Sequence, residues 1–172
     1  MEINRARARG VPIIGICGGY QMLGKEIIDT GFESAEGIYE GLGLLDGTTR
    51  FVAYDKHTRQ VRRMAHDVPP ILSSMGEVEG YEIHMGLTEP GSDQEALMGD
   101  GRVSADGLVF GTYMHGMFQN PSAVNALLSY LYAQKKVRFV PINTGKKDPY
   151  DELAEIFEAY VDMDAILSLV TG

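Results

Sequence analysis

The only cysteine in the chain, Cys17, lies where a strand-like segment meets a helix-like segment. An apolar run, Val11–Ile16, precedes it, two glycines follow it, and residues 20–30 then have the apolar spacing of a helix. This order of strand, nucleophile, glycines and helix is the pattern of a nucleophile elbow, in which a sharp turn exposes a reactive side chain at the edge of a sheet. We therefore predict that Cys17 is a catalytic nucleophile, its thiolate favoured by the N-terminus of the following helix.

The alternative is that Cys17 is a buried structural residue, which is the commoner fate of a lone cysteine. The paired glycines favour the nucleophile. A core strand does not need them, and a glycine in an ordered segment costs about 0.5–1 kcal/mol. We infer that the backbone at Gly18 and Gly19 must come close to another group.

His115 could accept the proton of the Cys17 thiol. It follows the strand-like segment Leu108–Tyr113, and side chains just beyond such strand ends often form active sites in α/β proteins. A thiol with a pKa of about 8.5 is mostly protonated at neutral pH, and a neighbouring imidazole can take that proton. We predict that the fold brings His115 to Cys17. Two further histidines, His57 and His66, lie in polar connections and are predicted to be solvated.

Composition excludes several classes of function. The chain has 172 residues, enough for one domain with a substantial core, and its net charge of −9 argues against general nucleic-acid binding. It contains no apolar run of the roughly 18 residues that a membrane span needs, and its N-terminus lacks the apolar segment of a secretory signal. A single cysteine forms no internal disulfide, as is usual in a reducing compartment. We expect a cytoplasmic protein with no metal site and no nucleic-acid or membrane partner.

Alternating strand-like and helix-like segments predict an α/β fold. Residues 37–47 are predicted to form a glycine-rich loop, and the continuous apolar runs favour a mainly parallel sheet covered by helices. Strands are predicted at residues 11–16, 48–54, 61–64, 77–84, 102–104 and 108–113, and helices at residues 1–10, 20–30 and 123–133 and twice after residue 148, with a break near Val161.

Three motifs resemble the glutaminase domain of the cobyric acid synthase family, a branch of the class I glutamine amidotransferases. They are Gly15–Gly24, Gly80–Gly86 and Gly111–Phe118, and they occur in the order and spacing of that family. The segments Asp148–Ala154 and Val161–Asp164 resemble the end of those enzymes, so the resemblance covers essentially the whole chain. It implies a flavodoxin-like, three-layer α/β sandwich of the class I amidotransferase type, here without its first strands.

The resemblance also implies a division of the chain and roles for its residues. Residues 1–119 would form the catalytic part of a partial amidotransferase domain, and residues 120–172 a helical tail. Cys17 would attack the glutamine amide to give a thioester, and His115 would act as base and then as acid. The remaining implied site residues bind the oxyanion or the substrate: Gly18, Gln21, Tyr81, Glu82 and His84. For the last three, a purely structural role is the alternative.

One departure from the class concerns the residue that orients the histidine. Class I enzymes commonly have a glutamate two residues after it, whereas this chain has Met117. The cobyric acid synthase branch also lacks this acid, which supports the assignment. Glu82 is a candidate substitute.

A second departure is that the chain begins at the helix before the nucleophile strand. We expect that it lacks the earlier segment carrying a second oxyanion donor, and that it is a truncated piece with weak or no activity alone. It contains no Gly-x-x-x-x-Gly-Lys-Ser/Thr loop. No cofactor is therefore expected in this chain, whereas ATP and Mg would bind a missing N-terminal synthetase domain, in the same or a separate chain, together with the corrinoid substrate.

The function implied is that of a glutaminase that supplies ammonia for ATP-dependent amidation of corrinoid side-chain carboxylates in cobalamin biosynthesis. Two enzyme alternatives share parts of the pattern: the related a,c-diamide synthase and the glutaminase subunit that amidates lipid II. A non-catalytic remnant or interaction module is the alternative of another class. Reactivity of the Cys17 thiol would distinguish the remnant from an enzyme.

Overall fold

The computed structural model describes residues 2–52, 57–142 and 149–163, together with residues 166, 168 and 169. The chain divides into two compact units, residues 1–142 and 143–172. The helices described in the first unit are α1 (Glu2–Ala8), α2 (Gly18–Leu23) and α3 (Pro121–Gln134). Its strands are β1 (Ile13–Ile16), β2 (Glu26–Asp29), β3 (Gly37–Glu40), β4 (Gly47–Phe51), β5 (His57–Met64), β6 (Glu77–His84), β7 (Leu87–Pro90), β8 (Arg102–Val103), β9 (Val109–Thr112) and β10 (Met114–His115). The second unit contains α4 (Pro149–Tyr160).

The strands form three sheets, with the orders β1–β9–β8, β10–β6–β5 and β3–β2–β4–β7. In the part of the chain that the structure describes, β1–β9 and β2–β4 are parallel and the other pairs antiparallel. The α/β class is confirmed, but a mainly parallel sheet is not. Antiparallel pairing prevails because short connections, such as the one between β8 and β9, return the chain beside the strand it has just left.

The predicted helix after Cys17 is correct in position and wrong in length. It ends at Leu23, and residues 26–29 form β2 rather than two further helical turns. The cause lies at Gly24, where a Cβ atom would lie 2.7 Å from the Gly47 carbonyl oxygen. The backbone is extended there, and the Lys25 N–H donates to that carbonyl at 2.8 Å. This contact starts the pairing of β2 with β4.

Other elements follow the sequence prediction more closely. Strands lie within or overlap each of the predicted strand segments, and α3 begins at Pro121 beside the predicted helix start. Residues 37–40 form β3 instead of loop, and β7 has no counterpart among the predicted strands. The predicted helix break near Val161 agrees with the end of α4 at Tyr160, whereas the second tail helix lies largely outside the described residues.

Two apolar clusters hold the first unit together. The smaller one packs α2 on β9 through Tyr20, Leu23, Leu45, Val109 and Tyr113. The packing leaves no room for a side chain at Gly15 of β1, where a Cβ atom would lie 2.7 Å from a Leu23 methyl carbon. The larger cluster is built from β6, β8, β9, β10, α3 and the connections between them: Val68, Ile71, Leu72, Met75, Val78, Ala96, Leu97, Val103, Phe110, Met114, Met117, Ala123 and Ala126.

Gly80 of β6 provides a test of how closely β10 must approach β6. A Cβ atom at this position would lie 2.1 Å from the His115 carbonyl oxygen and 2.9 Å from Met114 Cγ. Because backbone cannot move aside as a flexible side chain can, we expect Gly80→Ala to lower the free energy of unfolding by about 2–3 kcal/mol. Urea denaturation measures this change.

Gly19→Ala is the matched control. A Cβ atom at Gly19 meets nothing within 4 Å, and alanine is favoured over glycine in a helix by up to about 1 kcal/mol. This variant should be as stable as the parent chain or slightly more so. Equal stability of the Gly80→Ala variant and the parent chain would contradict the predicted crowding.

Candidate active site

Cys17 occupies the turn between β1 and α2 in a backbone conformation that is unusual for a residue with a side chain. Its φ is 54° and its ψ is −116°. Such conformations cost of order 1–3 kcal/mol and persist where the surrounding structure fixes them. Here the Cys17 N–H donates to the Thr112 carbonyl at 2.9 Å, and the thiol donates to the Ile83 carbonyl at 3.4 Å. The structure thus places the thiol at a strained elbow, as the sequence pattern predicts.

The thiol opens onto a cavity of about 400 Å³. This volume falls within the range of about 300–1,000 Å³ that is usual for small-molecule sites. The cavity is lined by Cys17, Gly18, Gln21, Glu33, Phe51, Ile83, His84 and Met85. A Cβ atom at Gly18 or Gly19 would meet nothing within 4 Å. Gly18 therefore leaves open space beside the sulfur, in which a ligand has room to approach the backbone.

Gln21 is buried in the wall of this cavity and is held by a hydrogen-bond chain. Its side-chain amide donates to the Tyr113 hydroxyl at 3.3 Å, and that hydroxyl lies 2.6 Å from the Thr88 hydroxyl. Burial raises the pKa of Tyr113, so the phenol stays protonated at neutral pH. These hydrogen bonds fix the position of the Gln21 amide in the wall of the cavity.

His84 lies in the same cavity as Cys17 and has a fixed orientation. Its ring stacks on the ring of Tyr113, with centroids 3.9 Å apart and an interplanar angle of 17°. Its Nδ1 lies 3.0 Å from the Gly86 carbonyl oxygen. Because a carbonyl oxygen only accepts, Nδ1 carries a hydrogen in this contact.

His115 lies in β10 opposite Tyr81 of β6. The two rings stack with centroids 5.2 Å apart and an interplanar angle of 8°. Neither residue lines the Cys17 cavity, and the thiol bonds Ile83 rather than His115. The Nε2 atom of His115 is buried and has no hydrogen-bond partner among the described residues. A buried nitrogen without a partner is costly, and the structure describes two more, His66 Nε2 and Arg102 Nε.

The Glu82 carboxylate forms ion pairs with two arginines. Its buried carboxylate accepts from Arg59 Nε at 2.8 Å and from Arg63 Nε at 2.7 Å, and Glu82 lines a second cavity of about 240 Å³ that shares His84 with the Cys17 cavity. Successive residues of a strand face opposite sides, so Glu82 lies on the other face of β6 from Tyr81, the partner of His115. The candidate role of Glu82 in orienting His115 is not matched by this arrangement.

Four of the predicted site residues line the Cys17 cavity, and three do not. Cys17, Gly18, Gln21 and His84 share the cavity, whereas Tyr81, Glu82 and His115 lie outside its lining. Glu33, Phe51 and Met85 line it without having been predicted. These three residues are far apart in the sequence. The pairing of β2 with β4 brings the segment after β2, with Glu33, beside Phe51, and the bond from Cys17 to Ile83 brings the segment with Met85 to the thiol.

The described residues also bear on metal sites and on membrane-spanning helices. Among the described residues, no group of three or more histidine, cysteine, aspartate or glutamate side chains is arranged to hold a metal ion. None of the helices that the structure describes combines the length and the apolar character needed to span a lipid bilayer.

The environment of Glu82 predicts a pH-dependent contribution to stability. Burial alone would raise the pKa of this carboxyl, but Arg59 and Arg63 outweigh it and hold the pKa below 4.5. We expect Glu82→Gln to cost about 2–3 kcal/mol at pH 7, less than the 3–5 kcal/mol of a fully buried pair because Arg59 is 64% exposed. Since the folded-state pKa is depressed, this contribution is present above about pH 4.5 and is lost as pH falls through the folded-state pKa.

Urea denaturation of the parent chain and the variant between pH 7 and pH 3 measures this difference. Glu79→Gln on the same strand is the control, because the Arg62–Glu79 pair is 65% exposed on both sides and such pairs contribute about 0–1 kcal/mol. A Glu82→Gln difference that stays constant down to pH 3 would show that the ion pairs are not its source.

Comparison with known proteins agrees with this geometry. Residues 1–123 match the model of the CobB/CobQ-like glutamine amidotransferase domain. The chain is 67% identical over 98% of its length to a protein of Methanoregula boonei named probable cobyric acid synthase, and 59% identical over 97% to one of Methanosphaerula palustris with the same name. It spans 35% and 34% of the length of these two relatives. The chain belongs to the family of CobB/CobQ-like glutamine amidotransferase domains.

Proposed function

We propose that this chain is the glutamine-hydrolysing part of an enzyme of the cobyric acid synthase type. The observation that carries the proposal is the strained Cys17 elbow, whose thiol faces a cavity of about 400 Å³ in a chain of this family. The relatives named probable cobyric acid synthase support this choice of enzyme. The proposal includes the three-layer, flavodoxin-like arrangement and the cytoplasmic location expected from the sequence.

In the first half of the reaction, the Cys17 thiolate attacks the side-chain amide carbon of glutamine. The carbon–sulfur bond forms and the carbonyl oxygen becomes an oxyanion. Gly18 is the first residue of α2, so its N–H has no acceptor within the helix and is available to this oxyanion. The tetrahedral species collapses with cleavage of the carbon–nitrogen bond, and the leaving nitrogen takes up a proton to depart as ammonia.

In the second half, water attacks the thioester, the carbon–sulfur bond breaks, and glutamate and the free thiol are released. The sum is glutamine plus water giving glutamate plus ammonia. His115 takes the thiol proton at the start, gives it to the leaving nitrogen, and then takes a proton from the attacking water. Its buried Nε2 without a partner is suited to this exchange. The role requires the imidazole to reach the sulfur, directly or through one water.

The ammonia would serve the amidation of corrinoid side-chain carboxylates. Activation of a carboxylate by ATP and Mg is assigned in this proposal to a synthetase domain outside these residues, for which the relatives have length to spare, since the chain spans 35% of the first of them. No phosphate-binding loop sequence of the Walker type occurs in this chain. Ammonia release is therefore the part of the reaction that these residues perform.

Covalent labelling of Cys17 tests the nucleophile without requiring turnover. A diazoketone analogue of glutamine places an electrophilic carbon where the amide carbon would lie. We expect it to modify Cys17 stoichiometrically, as measured by intact-protein mass spectrometry, and we expect excess glutamine to slow the modification. Cys17→Ser should show no modification. Failure of the parent chain to react, under conditions in which the unfolded chain reacts with iodoacetamide, would contradict the proposal.

His115→Asn tests the proton transfer. Loss of a positioned acid–base group lowers rates by about 100-fold or more. We expect a reduction of this order in the rate of ammonia release from glutamine, with a smaller effect on the KM for glutamine. His66→Asn is the matched control, because the Nε2 atom of His66 is buried without a hydrogen bond like that of His115, but lies 3.4 Å from Glu95 Oε2 in a different part of the chain. Equal loss in both variants would point to a general effect on folding and not to catalysis by His115.

A further inference from the structure

Glu33 contributes the negative charge in the lining of the Cys17 cavity. The other described lining residues are apolar, are neutral and polar, or carry a thiol or an imidazole. A carboxylate placed in a small-molecule cavity is suited to bind a cation or a hydrogen-bond donor. The acyl-transfer chemistry of Cys17 does not use this group, so Glu33 is available for recognition.

The segment that carries Glu33 is held in place by a single carboxylate. Asp29, at the end of β2, is 3% exposed and accepts from four backbone N–H groups. Its Oδ1 accepts from Gly31 and Phe32, both at 2.9 Å, and from Glu33 at 3.4 Å, and its Oδ2 accepts from Ser34 at 2.6 Å. Burial would raise the pKa of Asp29, but these four bonds lower it below its ordinary value. The carboxylate thus stays ionised and keeps the segment in shape.

The same segment is tied to the wall of the cavity. The Thr30 N–H and hydroxyl both donate to the Phe51 carbonyl, at 3.1 Å and 2.9 Å, and the Phe51 side chain lines the cavity beside Glu33. Binding groups held in position before the ligand arrives lose little conformational entropy on binding. The main chain at Glu33 is therefore held in place before a ligand arrives, and its exposed side chain contributes to the lining of the cavity.

Glutamine offers a matching cation. Its α-ammonium group is separated from the reacting amide carbon by the α-carbon and two methylene groups, and a cavity of about 400 Å³ has room for a molecule of this size. A ligand in the cavity would displace water from around Phe51, Ile83 and Met85. A charge pair strengthens when water around it is displaced. A charge-assisted hydrogen bond from ammonium to carboxylate is among the stronger polar contacts.

We propose that Glu33 binds the α-ammonium group of the substrate, so that the site selects amino acid amides over simple amides. This inference rests on the proposed glutaminase function and specifies how its substrate is recognised. Glu33 acts on binding and not on the chemistry at the sulfur. Its removal should therefore weaken the reaction of ammonium-bearing reagents with Cys17 and leave the intrinsic reactivity of the thiol in place.

The test uses two diazoketones of equal length, the glutamine analogue and its counterpart without the amino group. The rate constant for modification of Cys17 is measured with each by mass spectrometry. We expect the parent chain to react at least about 10-fold faster with the amino-bearing reagent, the size of one charge-assisted hydrogen bond. Glu33→Gln should lose most of this preference and react with the counterpart reagent at the parent rate.

Glu36→Gln is the matched control, because Glu36 is exposed further along the same connection and does not line the cavity. It should keep the full preference. A Glu33→Gln variant that also keeps it would overturn the inference. So would a parent chain that reacts equally with both reagents, although Cys17 would then remain a nucleophile. A parent chain that reacts with neither reagent would contradict the proposed function and this inference together.

Discussion

Residues 109–115 connect the two halves of the candidate site. Over β9 this segment pairs in parallel with β1, and after Tyr113 it pairs as β10 with β6. The Cys17 backbone therefore bonds Thr112, while its thiol reaches the carbonyl of Ile83, which lies 66 residues away in sequence. The conformation of Cys17, the cavity beside it and the position of His115 all depend on this change of partner along one run of chain.

Two imidazoles lie on either side of this junction and differ in their surroundings. His84 has its Nδ1 bonded to the Gly86 carbonyl and its ring packed on Tyr113, inside the cavity. His115 is packed on Tyr81 outside the cavity lining and has a buried nitrogen without a partner among the described residues. Stacking restricts both rings, so each presents a defined edge. The surroundings of His84 suit a residue in the wall of the binding site, and those of His115 suit the proton exchange proposed for it.

The sequence predicts features that are encoded locally. The apolar run before Cys17, the glycines after it and the proline at the start of α3 correctly predict the strand β1, the turn at Cys17 and the start of α3, because each depends on neighbouring residues. The strand β2 is missed because Ile27 and Ile28 fit a helical period as well as a strand. What decides between them is pairing with β4, whose residues lie about twenty positions further on. Tertiary pairing overrides the local pattern there.

The composition of the cavity is harder to predict for the same reason. Gln21 and His84 are found through motifs, but their contact through Tyr113 depends on how β9 is placed beside α2. Glu82 is also named by its motif, but its hydrogen bonds to Arg59 and Arg63 depend on how β5 pairs with β6. A strand's pattern gives two faces, and only the assembled sheet shows which face meets the nucleophile.

The bonds that Asp29 accepts all come from main-chain N–H groups. They depend on how many residues separate Asp29 from Ser34 and, apart from Gly31 with its φ of 91°, hardly at all on which side chains those residues carry. An insertion or deletion here would disrupt the turn, whereas a single-codon change at position 33 would leave it intact. The fold thus fixes the length of this connection and leaves the chemistry it presents to the cavity free to vary during evolution.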